Sequence, residues 1–171
     1  MRMKKRESLL QRRQRPLLTQ CLWLAAFLLV LFAIFPPAAS TQSSADQASL
    51  DGAIEQARQR TAADPSSAKA QVTLGDLLLT RGSLDEAQKA FEAALSLNAR
   101  DHDALTGKGM VLARKGKDQE AEAVLRKALM MNPNPVRTFY ELGMLFEKKG
   151  DYAKAIAEYK NGIEKYKQGR R

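Results

Sequence analysis

Gly75, Gly109 and Gly143 stand 34 residues apart, and Gly82, Gly116 and Gly150 keep the same spacing seven residues later. Ala87, Ala121 and Ala155 share a third register position, Phe91, Leu125 and Tyr159 a fourth, and Ala94, Ala128 and Gly162 a fifth. A chain that copies itself at a fixed period without a gap builds one supersecondary unit several times. Each copy leaves a face that only a neighbour can cover. Between the glycines, stretches such as "LDEAQKAFEAAL" carry apolar residues at helical spacing, so the unit is a pair of helices and the fold is all-α.

The first part of each unit is Q-x2-L-G-x2-L, L-x2-K-G-x2-L and F-x2-L-G-x2-F, followed by the alanine and the large apolar residue of the second helix. Asn98-Ala99 and Asn132-Pro133 close two of the units. This period and pattern resemble the tetratricopeptide repeat, with units over 68–101, 102–135 and 136–169. The resemblance implies a right-handed superhelical solenoid of antiparallel helix pairs. It also implies a concave groove, lined by the first helices, that holds a protein segment.

In such a unit Gly75, Gly109 and Gly143 would let the two helices approach, with Ala87, Ala121 and Ala155 as the small residues that meet them. Gly82, Gly116 and Gly150 follow helix ends such as "ARKG" and "EKKG", where a left-handed residue is required. Upstream, "SLDGAIEQARQRTAADP" continues the register as a second helix without a first, predicting an N-terminal capping helix over 49–64. At the other end Tyr152, Ile156, Tyr159, Ile163 and Tyr166 fall on one helix face. That stripe either packs on the first helix of its own unit or meets a second copy, another protein or a membrane surface.

The formal net charge of +9 is not a nucleic-acid signal once it is divided along the chain. The first 40 residues carry seven Lys/Arg and one acid, residues 41–147 carry 13 basic and 15 acidic side chains, and residues 148–171 carry eight and three. The excess lies at the ends, and no basic stretch has the interleaved aromatics of a single-strand binder. Arg2 to Arg15 form a basic tail over 1–16, ahead of the uncharged run "LLTQCLWLAAFLLVLFAIF" over 17–35. At about 1.5 Å per residue this run reaches close to the ~30 Å of a bilayer core. The positive-inside rule predicts a single-pass inner-membrane anchor with a cytoplasmic N-terminus and a periplasmic domain. A cleaved signal ending near Ser40 is the alternative. "PPAASTQSSADQA", 36–48, is expected to be a flexible tether.

No cofactor, metal or catalytic constellation is predicted. Cys21 is the single cysteine and lies in the apolar run, and His102 stands alone between Asp101 and Asp103 at a predicted helix start. Carried over from the resemblance by position, the groove would take Lys69, Val72, Thr73, Asp76 and Thr80 from the first unit. Asp103, Thr106, Met110 and Arg114 would come from the second, and Arg137, Tyr140, Glu141, Met144 and Lys148 from the third. Met110, Tyr140 and Met144 form an adaptable apolar patch suited to a helix or extended segment. The expected function is an exported, membrane-tethered scaffold that helps assemble an envelope complex. Self-association through the Tyr/Ile stripe is the alternative.

Overall fold

A computed structural model describes residues 39–170, all helix and short connection. The described residues up to Asp46 belong to one compact unit and those from Gln47 onward to a second. The basic tail, the apolar run over 17–35 and Cys21 lie outside the described residues. Among the described residues no helix is long and apolar enough to cross a membrane.

The helices are α1 (Ala39–Ala63), α2 (Ala68–Arg81), α3 (Leu84–Leu97), α4 (His102–Arg114), α5 (Asp118–Met131), α6 (Val136–Lys148) and α7 (Tyr152–Gln168). Helix already runs from Ala39, where a tether over 36–48 was expected. The alanines, serines and glutamines there carry only modest helix penalties, and no glycine or proline interrupts them before Gly52. α1 stops before Pro65, and Asp64 Oδ1 turns the chain by accepting from the Ser66 amide at 3.1 Å.

Helices α2/α3, α4/α5 and α6/α7 form three pairs, and each pair packs on the next. Gly82, Gly116 and Gly150 have φ of 87°, 78° and 76°, the left-handed geometry that the sequence demanded. Each closes its helix in the same way. Ser83, Lys117 and Asp151 donate their amides to Leu78, Leu112 and Phe146 carbonyls, all at 2.9 Å. Ser67 and Asp101 cap the starts of α2 and α4, and Asp151 that of α7.

The role expected of Gly75, Gly109 and Gly143 needs correction. Ala87, Ala121 and Ala155 are buried, but a Cβ on these glycines would strike the larger side chain one turn further on. It would come within 2.7 Å of Phe91, 2.6 Å of Leu125 and 2.3 Å of Tyr159 respectively. The glycines therefore make room for the large residue of the second helix. Gly107, which breaks the period, does the same between units, since its Cβ would approach the Phe91 ring to 2.3 Å.

α1 contributes Ile54 and Ala57 to the core that holds Val72, Leu78 and Phe91. Arg58 pairs with Glu86, and Arg81 with Asp51 at 3.5 Å. A second core gathers Leu112, Leu125, Leu142, Leu145, Phe146 and Ala155.

Candidate functional site

Helices α2, α4 and α6 are the first helices of their pairs, and three side chains from them converge. Arg137 of α6 donates to Asp76 of α2 at 2.7 Å and to the Met110 sulfur of α4 at 3.4 Å. The carboxylate of Asp76 holds the Arg137 guanidinium pKa above its ordinary value. Beside this cluster α4 and α6 enclose an open groove of about 630 Å³, lined by Met110, Arg114, Tyr140, Glu141, Met144 and Lys148, with Ala113 and Leu145. Tyr140 and Met144 are roughly half exposed there, at 54% and 47%. Glu141 lies lower in the groove, and burial pushes its carboxyl pKa up against the opposing pull of Arg137 and Arg114.

Six of the expected groove residues thus come together, and others do not. Val72 belongs to the interior of the first pair rather than to a groove wall. Thr106 is also interior. Its hydroxyl donates to the His102 carbonyl at 2.8 Å and lies 2.9 Å from Thr138 Oγ1. With its one proton committed to the carbonyl, Thr106 accepts from Thr138, and a short polar chain bridges α4 and α6 inside the fold. Thr73 and Lys69 line a smaller hollow of about 220 Å³ with Ala57, Arg60, Ser67 and Ala70. Thr80 is exposed and donates to the Asp76 carbonyl at 2.9 Å, while Asp103 lies 3.1 Å from the His102 ring.

Arg114 and Lys148 have a duty that the sequence reading missed. Arg114 donates to the Leu79 carbonyl at 2.6 Å, and Lys148 to the Ala113 carbonyl at 2.7 Å. Each cation caps the C-terminal end of the first helix in the preceding unit, where the helix dipole is negative. The signal was present, since Arg114 and Lys148 share a register position and so do Leu79 and Ala113.

The Tyr/Ile stripe does not pack within its own unit as a whole. Tyr159 is half-buried, donating to Glu147 Oε2 at 2.9 Å, with its ring centroid 5.7 Å from that of Tyr140. Burial, then the hydrogen bond to Glu147, pushes the Tyr159 pKa to about 12. Tyr152, Ile156, Ile163 and Tyr166 are exposed, and the side of α7 that is buried carries Ala155 and Gly162. A shallow apolar cavity of about 410 Å³ remains at this end, lined by Val136, Tyr140, Tyr159, Gly162, Ile163 and Tyr166.

A stack of helix pairs closed by left-handed glycines, with an exposed aromatic and thioether groove, defines a helical-repeat protein. The tetratricopeptide repeat profile matches residues 43–87, 72–134 and 119–170, and the chain belongs to that family. Among solved structures it is similar to MamA, with a TM-score of 0.59 and 23% identity over 82% of this chain and 85% of that one. It is also similar to TTC0263, a thermophilic TPR protein of Thermus thermophilus. There the TM-score is 0.64 and the identity 21%, over 72% of this chain and 69% of that one. A stretch of 41 residues, 24% of this chain, is 51% identical to cellulose synthase operon protein C of Komagataeibacter xylinus. That match spans 3% of the length of the relative.

Proposed function

We propose that this protein is a membrane-anchored scaffold whose repeat domain lies on the outer side of the membrane and holds a segment of another protein in the α4/α6 groove, assisting assembly of an envelope complex. The observation that carries the binding role is the exposure of Tyr140 and Met144 in a groove whose cations, Arg114 and Lys148, are tied to the fold. An aromatic ring and a thioether supply adaptable apolar contact to an incoming helix or strand. The apolar run over 17–35 behind a basic tail supports the anchor and the export.

Photo-crosslinkers placed at Met110, Tyr140 and Met144 in cells test the groove. One dominant protein should be trapped from all three sites and lost when Tyr140 becomes Glu. Labelling that ignores Tyr140→Glu would refute the groove. A reporter active only in the cytoplasm, fused after Arg171, should be silent, and its activity would refute the topology.

A further inference from the structure

The charges around the α4/α6 groove are engaged within the fold, with one exception. Arg114 donates to the Leu79 carbonyl, and Lys148 to the Ala113 carbonyl and, at 2.8 Å, to Asp118. Arg137, at the edge, is held by Asp76. Glu141 differs from all three: among the described residues its carboxylate accepts no hydrogen bond and joins no ion pair. Yet the side chain is half-buried, and burial raises its pKa in spite of the pull of Arg137 and Arg114. No buried side-chain oxygen lacks a partner among the described residues, so the oxygens of Glu141 are served by solvent through the open mouth of the groove.

A segment laid across Met110, Tyr140 and Met144 closes that mouth. If it is wholly apolar, it strips solvent from the carboxylate and returns no donor, which costs more than the apolar contact at that point gains. An acidic segment adds like-charge repulsion. A basic side chain answers both demands: its methylene stem lies along the thioether and the ring, and its cation makes charge-assisted hydrogen bonds to the carboxylate. The neighbouring guanidinium groups do not forbid this. Arg137 is balanced by Asp76, and Arg114 lies against the negative end of α2.

We propose that the segment of another protein held in this groove is an apolar one carrying a lysine or arginine whose cation seats on Glu141. The proposal rests on the groove being the binding surface and adds the chemistry of what it selects. Met110, Tyr140 and Met144 accept many apolar shapes, so Glu141 fixes the register of the bound chain.

The probe is a phage-displayed library of random peptides, selected on the full chain in nanodiscs of zwitterionic lipid, with the enriched peptides resynthesised for anisotropy titration. Enriched sequences should share one Lys or Arg among apolar residues. Replacing that residue by Gln, or making Glu141→Gln in the chain, should each weaken binding about tenfold, and the two together little further. The Glu141→Lys chain should prefer the same peptide with Glu in place of its cation. Glu164→Gln, the same change of charge at an exposed position of α7, should leave binding unaltered. Tyr140→Glu should abolish it for every peptide. Peptides that need Tyr140 but share no cation, or that ignore Glu141→Gln, would overturn this inference and leave the groove standing. No enrichment, or binding indifferent to Tyr140→Glu, would overturn the groove and the inference with it. So would a photo-crosslinker at position 141 that in cells labels only this chain, whether a second copy or the basic residues 1–16.

Discussion

Phe91 and Tyr159 occupy the same place in their repeats and live in different surroundings. Phe91 is fully buried because two first helices close on it, its own through Gly75 and the following one through Gly107. Tyr159 has only its own, at Gly143, and keeps one side toward the cavity with its hydroxyl on Glu147. Burial in a repeat fold is therefore set by the neighbour as much as by the residue. Among the described residues, the last pair carries an interior pattern without an interior's cover.

The largest test of this contrast is truncation. Phe91→Ala should cost about 3–5 kcal/mol in chemical denaturation, the range for a buried aromatic. Tyr159→Ala should cost less than half as much, and equal losses would abolish the distinction between interior and end.

The polar bridge between α4 and α6 sharpens the contrast, because only an interior junction traps hydroxyls. Thr106→Val leaves the Thr138 hydroxyl buried without its acceptor and should cost about 1–3 kcal/mol. Thr138→Val should cost less, since Thr106 keeps its bond to the His102 carbonyl. The double variant should be milder than the sum of the singles.

Next come the helix-closing glycines, where position in the array should not matter. A Cβ would meet open space at Gly82, Gly116 and Gly150, so alanine incurs only the left-handed backbone penalty of about 1–2 kcal/mol. Similar losses at all three would show that local geometry is blind to the neighbour, while a much smaller loss at Gly150 would mean that the end unit is already loosened.

The smallest effect is expected at Glu141, the counterpart of Gly107. Its raised pKa means that the folded state holds the proton more tightly than the unfolded chain. Stability then falls as pH rises from the ordinary glutamate value of 4.5 through the raised folded value. Glu141→Gln should be more stable than the parent at neutral pH, with the difference vanishing below about pH 4.5, as thermal unfolding across pH would show.

The residues that were legible beforehand are those whose constraint is local. A glycine closing a helix must be left-handed whatever surrounds it, so Gly82, Gly116 and Gly150 could be assigned from spacing and flanking cations. That Met110, Tyr140 and Met144 lie along one groove also follows from register, because register alone places the first helices side by side. Val72 and Thr106 were misplaced because a helix face is wider than one register position, and whether its edge looks inward depends on the crossing of the next helix. Thr106 turned inward because Thr138 offered it a partner from another pair. Gly107 lay outside the period, so nothing in the repeat marked it as the socket for Phe91.

By itself, then, the sequence determined the unit, its number and its closing turns, since these follow from backbone preferences and helical period within some 34 residues. Only the tertiary structure decided which side chains were used between units. It turned Arg114 and Lys148 into caps for a preceding helix, tied Arg137 to Asp76 across two repeats, and left Ile156 and Ile163 uncovered. Those outcomes depend on contacts between segments far apart in the chain, which no local preference encodes.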